Sequence, residues 1–298
     1  MCRHLAYLGP PVSLASLVLE PPHSLYRQSW APSDMRGGGS VNADGFGLGW
    51  YADGAPAGTS VGGTPTPGTS VGGTLTPGTS VGGTAGTSIG GTPTLGTPEG
   101  RVPVRYRRNV PIWADESLPG LAASISSGAV LAAVRNGTVG SPLTEIAVAP
   151  YTRDQWLFSH NGLISGWPGS VSKLAESLPV TELLTLDAPM DSALIWALIQ
   201  HRLYAGAPAA DAVASVVRDV AAVAPDSRLN LLLTDGEQIV ATTWTHSLWV
   251  RRTTDSVAVS SEPWTTEGWE ELPDRSLLLA TKTTLAVTPL LEGRQCQI

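Results

Sequence analysis

Period-two alternation marks one strand plainly. In Gly45-Phe46-Gly47-Leu48-Gly49-Trp50-Tyr51 small and large residues alternate, the pattern of a strand approached closely on its glycine side. Apolar runs of strand length recur at 129–135, 156–159, 230–234, 239–244, 248–252, 256–260 and 276–281. Two longer segments, 191–204 and 208–223, are rich in Ala and carry apolar residues at three- and four-residue steps, so helices are expected there. Asp191-Ser192 stands where the first of them needs an N-cap. Helices set between antiparallel-looking strands, without regular strand–helix alternation, predict a mixed α+β fold with layered sheets.

One stretch has neither period. From 58 to 97 the chain repeats itself as GTSVGGTPTP, GTSVGGTLTP, GTSVGGTA, GTSIGGTPTL, with a ten-residue unit that slips once to eight. Uncharged, without aromatics and with isolated aliphatic residues, it cannot bury enough apolar surface to offset the roughly 1–2 kcal/mol per residue that backbone ordering costs. It is expected to be a flexible, low-complexity insertion over 54–100, within a single domain spanning 2–298. Loop-closure cost grows only logarithmically with length, so deleting 58–97 is expected to leave folding and activity nearly unchanged.

Composition sharpens the picture where it departs from the ordinary. Of 298 residues only 14% are charged, against roughly 25% in a typical soluble domain, and 33 are Gly; much of both anomalies belongs to the insertion. The net charge is −7, and the one basic run is Arg105-Tyr106-Arg107-Arg108, read as a solvated strand or loop, so nucleic acid is not an expected partner. No run of about 18 apolar residues is present and no secretory pattern opens the chain, which excludes a membrane helix and leads us to expect a cytoplasmic protein. The two cysteines, Cys2 and Cys296, are too few for a disulfide scaffold or a Cys-based zinc site.

Cys2 is the first residue with chemistry to offer. Methionine aminopeptidase removes Met1 before a small residue, which would leave a cysteine with a free α-amine; its pKa of about 7.7–8.0 makes that amine a usable general base beside the thiol. Acyl transfer by a thiolate also needs donors for an oxyanion. Ser159-His160-Asn161-Gly162, after an apolar run, reads either as a turn or as such donors. Arg135, closing the run 129–134, asks for a carboxylate, from a ligand or from one of the 25 acidic residues. Asp191 can accept a ligand's ammonium or simply cap its helix. Trp30, Trp50 and Trp167 are candidates for stacking on an aromatic substrate group, with core packing as the competing role.

Taken in order, Cys2, Arg135-Asn136-Gly137-Thr138-Val139-Gly140, His160-Asn161-Gly162, Asp191-Ser192 and Ser260-Ser261-Glu262-Pro263 resemble the glutaminase domain of class-II glutamine amidotransferases, which are N-terminal nucleophile hydrolases. The resemblance covers essentially all of 2–290 outside the insertion. It implies a four-layer αββα sandwich of antiparallel sheets. It also implies Cys2 as nucleophile with its freed α-amine as base, and Asn161 with the Gly162 N–H as oxyanion hole. Arg135 with Thr138 would hold the α-carboxylate of a glutamyl group and Asp191 its α-ammonium, while His160 orients the turn. Neither a cofactor nor a metal is implied.

The family's usual Arg-Trp-Ala-Thr-His-Gly is altered at 135–140, and its frequent His-Pro is here Ala149-Pro150. With Cys2-Arg3-His4-Leu5-Ala6-Tyr7-Leu8-Gly9, the segment 42–51 and Pro111-Ile112-Trp113-Ala114-Asp115-Glu116, these changes resemble the branch that acts in ergothioneine biosynthesis. That branch removes glutamate from γ-glutamyl-hercynylcysteine sulfoxide. The alternatives are a glutaminase subunit feeding ammonia to a separate synthase and an inactive γ-glutamyl-binding module. Oligomeric state is not legible.

Overall fold

The computed structural model describes residues 2–34, 36, 41–52, 101–138 and 140–291, so the expected flexible insertion at 54–100, Val139 and Cys296 lie outside the described residues. In chain order the strands are β1 (Arg3–Ser13), β2 (Phe46–Tyr51), β3 (Pro103–Arg108), β4 (Ser126–Val134), β5 (Tyr151–Arg153), β6 (Trp156–Leu163) and β7 (Arg228–Thr234). They continue with β8 (Gln238–Thr242), β9 (Trp249–Arg252), β10 (Val257–Ser260), β11 (Trp269–Glu271), β12 (Ser276–Thr281) and β13 (Leu285–Pro289). The helices are α1 (Leu14–Val18), α2 (Leu25–Gln28), α3 (Leu118–Ser124), α4 (Ser172–Ala175), α5 (Val180–Leu184), α6 (Asp191–Tyr204) and α7 (Ala209–Val223).

All strand pairs are antiparallel, and they form two sheets: seven strands ordered β11-β9-β10-β1-β4-β2-β3 and six ordered β13-β12-β8-β7-β6-β5. Side-chain alternation then divides the buried strand residues among three cores. Ala6, Leu8, Leu131, Leu157, Leu232, Ile239 and Val259 point between the sheets. Leu5, Phe46, Leu48, Val130 and Val134 point the other way, onto α1, α2 and α3. Phe158, Leu231 and Leu233 pack with α6 and α7, where Phe158 stacks on Trp196 at 5.2 Å. Three cores between four layers make the αββα sandwich.

The glycines of β2 explain why the sheets can close at this point. A Cβ on Gly47 would stand 2.2 Å from the Ala149 carbonyl oxygen, and one on Gly49 would stand 2.8 Å from Leu157. Phe46, Leu48 and Trp50 fill the opposite face. The basic run corrects one expectation. It forms β3, but Arg105 and Arg107 are half-buried, and they donate to the carbonyls of Pro150 (3.2 Å) and Val148 (3.1 Å). Burial lowers the pKa of Arg105 to about 10.

Helix α6 begins at Asp191, with Met190 at the N-cap and no side-chain cap. Asp191 is therefore the first helical residue, and its carboxylate is turned to other partners. Among the described residues no helix is long and apolar enough to cross a membrane.

Candidate active site

The site forms where strand ends of both sheets meet. On β1 the inward positions are even-numbered, as Ala6 and Leu8 show, which turns His4, and by continuation Cys2, between the sheets. On β4 Ala129 and Leu131 face inward, and the same parity carries Arg135 to that face just past the strand. On β6 Leu157 faces inward, as therefore do Ser159 and Asn161, and on β7 Asn230 lies opposite Asn161. Residues far apart in sequence thus converge because strand parity leaves them no other face.

Cys2 is half-buried, and its Sγ lies 3.8 Å from the Asn136 carbonyl oxygen, within the loop that follows β4. Cys2, Arg135, Ser159, His160, Met190 and Ser192 line a cavity of about 30 Å³. A cleft of about 450 Å³ adjoins it through Met190; Thr138, Ser141, Trp167, Pro168 and Asp191 are among its walls.

Arg135 is 5% exposed. One Nη donates to Ser141 Oγ at 2.8 Å, and the other is buried without a hydrogen-bond partner. Among the described residues no carboxylate lies within ion-pairing distance of it, so the internal ion pair that the sequence left open is not made. Ser141 Oγ in turn donates to the Thr138 carbonyl at 2.7 Å, and Asp44 accepts from the Gly137 N–H at 2.8 Å, bracing the 135–141 loop.

Asp191 is its opposite in charge. It is 6% exposed, and its carboxylate accepts from the Ser192 N–H (2.7 Å) and from the Ile164 N–H (2.9 Å), with no cationic partner among the described residues. The start of α6 places it in the helix's positive end, which favours the anion.

Asn161 and Gly162 were readable as a turn, but both lie inside β6, paired with Asn230 and Leu229. The Asn161 amide donates to Ser261 Oγ at 3.4 Å. His160 points to the helix side: Nε2 lies 2.9 Å from the Arg228 carbonyl oxygen and Nδ1 lies 2.9 Å from Ser192 Oγ. A carbonyl only accepts, so Nε2 carries the proton and Nδ1 accepts from the hydroxyl. Both nitrogens are therefore spent within the protein.

Of the three tryptophans, Trp167 lines the cleft. Trp50 is buried in the core against the outer helices. Trp30 packs edge-on against Tyr26 and Trp113. Sequence reasoning missed Ser141, which holds Arg135, and the buried His246; it quoted Ser159, Ser192 and His4 within motifs without assigning them roles, and their side chains bond as Ser192 to His160 and Ser159 to His4. Lone serines and histidines give no periodic signal.

Burial holds His4, His160 and His246 below the ordinary imidazole pKa, His246 at about 3. The Arg228 and Arg3 charges add to the effect on His246, and the His160, His246 and Arg3 charges to that on His4. Folding therefore keeps the three neutral, while the unfolded chain protonates them below about pH 6.5. The stability they contribute is full above that pH and is lost as pH falls toward the folded values, by up to about 1.4 kcal/mol per pH unit for each. The thermal midpoint should be nearly flat from pH 8 to 6.5 and drop steadily from 6.5 to 4.5. A midpoint constant down to pH 5 would contradict it.

The family of class-II glutamine amidotransferases matches residues 121–282. A γ-glutamyl-hercynylcysteine sulfoxide hydrolase of Mycolicibacterium smegmatis is 34% identical over 291 residues, 97% of this chain and 100% of the relative. The Mycobacterium tuberculosis protein of the same name is 32% identical over 292 residues, 97% of each chain. Among solved structures, a class-II glutamine aminotransferase domain protein from Silicibacter pomeroyi superposes with a TM-score of 0.56 at 20% identity, covering 98% of this chain and 100% of that one. Glutamine phosphoribosylpyrophosphate amidotransferase of B. subtilis gives 0.57 at 10% identity over 98% of this chain and 50% of its own. Both structures share the fold.

Proposed function

The chain belongs to the class-II glutamine amidotransferases, and from that membership we propose that it is an amidohydrolase cleaving the γ-glutamyl amide of γ-glutamyl-hercynylcysteine sulfoxide, as a step of ergothioneine biosynthesis. The observation that carries this reading is a pair of buried, unmatched charges beside one cysteine. Arg135 keeps a buried Nη without an acceptor, and Asp191 keeps a carboxylate without a cation. A γ-glutamyl head group is a zwitterion whose carboxylate and ammonium answer both, and burying either protein charge unpaired is otherwise costly. Relatives that match across nearly the whole chain carry the name of this hydrolase, which supports the choice of substrate.

The chemistry follows from the chain's own groups. After Met1 is removed, the Cys2 α-amine takes the thiol proton through a water, and the thiolate attacks the γ-carbonyl carbon. The Asn161 amide and the Gly162 N–H stabilise the resulting oxyanion, at about 3–4 kcal/mol per donor. Collapse expels the amine product, which takes a proton from the ammonium formed at Cys2, and leaves a γ-glutamyl thioester. Water activated by the same amine then releases glutamate and restores the thiol. Arg135, Thr138 and Asp191 hold the head group throughout, and Trp167 at the cleft wall offers a face for the hercynyl imidazole. His160 contributes orientation, since both its nitrogens are engaged.

The test is glutamate release by the purified chain, after mass measurement establishes that Met1 is absent. The hercynylcysteine sulfoxide conjugate should be cleaved at least about tenfold more efficiently than glutamine or γ-glutamylcysteine, because only it brings the full set of leaving-group contacts. Cleavage of glutamine alone would assign a glutaminase instead, and binding without any cleavage would assign a binding module.

A further inference from the structure

Strand β1 begins at Arg3, and its ladder to β10 ends at the Leu5–Ser260 pair. The residues next to the nucleophile therefore lie beyond the regular hydrogen bonds on that side, where strand ends fray. The chain following β10 replaces those bonds. The Ser261 N–H donates to the His4 carbonyl at 2.9 Å, and Ser261 Oγ accepts from the His4 N–H at 3.0 Å. The same oxygen accepts from the Asn161 amide at 3.4 Å, so both its lone pairs are used.

Glu262 continues the arrangement one residue on. It is 2% exposed and accepts from four donors: Arg3 Nε at 2.9 Å, His23 Nε2 at 2.6 Å, the Ser33 N–H at 2.8 Å and the Asp34 N–H at 3.2 Å. Burial works to raise its pKa, but the His23 and Ser33 hydrogen bonds, the Arg3 charge and the Asp34 N–H hold it below the usual carboxylate value. Arg3, so oriented, donates from Nη1 to the Cys2 carbonyl oxygen at 3.1 Å and from Nη2 to the Asp34 carbonyl.

We propose that Ser261 and Glu262 form a positioning clamp that fixes the backbone of Cys2 and the amide of Asn161 relative to each other. One hydroxyl ties the nucleophile's strand to the oxyanion donor, and one carboxylate, through Arg3, ties down the nucleophile's own carbonyl. Neither residue lines the cleft or the small cavity, so the clamp acts on the reacting groups without touching the head group. The proposal rests on the γ-glutamyl hydrolase reading for its choice of reaction.

Ser261→Ala should lower kcat for γ-glutamyl-hercynylcysteine sulfoxide by about 10²-fold, the scale on which a misplaced reacting group costs rate. KM should stay within about twofold of wild type. Ser261→Thr, which restores the hydroxyl, should recover most of the loss, and Glu262→Gln, which keeps the shape but not the charge, should lower kcat about tenfold at unchanged KM. Unaltered kcat in Ser261→Ala and Glu262→Gln, or a loss expressed in KM alone, would overturn the clamp. Should Ser261→Ala fail to fold, Ser261→Thr and Glu262→Gln decide the matter on the same kcat and KM readout. Carbamidomethylation of Cys2 by iodoacetamide separates this proposal from the functional reading, because it needs no γ-glutamyl substrate. If the wild type hydrolyses no γ-glutamyl amide, that reading fails, and the clamp still requires a several-fold change in alkylation rate in Ser261→Ala; an unchanged rate would then overturn it.

Discussion

Cys2→Ala should release glutamate at least about 10⁴-fold more slowly than the Met-processed wild type while still binding the γ-glutamyl substrate. Removing a covalent nucleophile abolishes the route itself, and single losses of this kind have cost as much as a whole catalytic unit. Stability should hardly change. Cys2 is half-buried at the end of a strand and lines a cavity, and among the described residues its sulfur makes one long hydrogen bond, to the Asn136 carbonyl, so little is lost. Continuous glutamate assay, thermal denaturation and titration calorimetry on the same preparation check the three parts. Turnover above about one per cent of wild type would remove Cys2 from the chemistry.

Gly162→Ala should damage both stability and turnover. A Cβ there would stand 1.8 Å from the Arg228 carbonyl oxygen and 2.6 Å from His160 Nε2. The first of these is backbone of β7, which is held between β6 and β8 and cannot give way cheaply. Overpacking of this kind costs about 3 kcal/mol, or ~6–12 °C in thermal midpoint for a domain of this size. The displaced β6 would carry Asn161 with it, so turnover should fall by more than about 10²-fold. Gly120→Ala in α3 is the control, because nothing lies within 4 Å of a Cβ there. A Gly162→Ala variant as stable and as active as that control would contradict the close packing of β6 on β7.

The two long helices were legible because their apolar steps and Ala content agree with one period, and the expected segments match α6 and α7 to within a residue at each end. Strands with clean alternation or β-branched runs were legible too. Strand β1 was not, since Gly9-Pro10-Pro11 reads as a break. It runs through them because its ladder to β10 stops at Leu8 and its register with β4 shifts between Leu8 and Val12, where prolines have no N–H to supply. Strand β6 was expected to end at Ser159, because Asn161-Gly162 looks like a turn. It continues to Leu163 because the facing strand β7 approaches so closely that only glycine fits at 162. The site was legible mainly as an ordered set of motifs. What the motifs did not carry is the role of the support beneath them: Ser141 under Arg135 stands outside them, and Ser261, though within the 260–263 motif, is tied to Asn161 only by a tertiary contact that leaves no spacing in the chain.

Strands β2 and β3 form a hairpin whose last pair is Tyr51 and Pro103. The chain therefore leaves the sheet and re-enters it at neighbouring points, about one strand spacing apart. For a flexible connection of about fifty residues, gaining or losing one ten-residue copy would alter the entropy of closure by only ~0.2 kcal/mol. Tandem copies are prone to be gained and lost when a gene is copied, and a change of one copy is expected to cost the sheet little. Variants with one copy more or fewer are therefore expected to keep the wild-type thermal midpoint. The hairpin mouth is thus the point on this scaffold where added length is expected to leave the fold as it is.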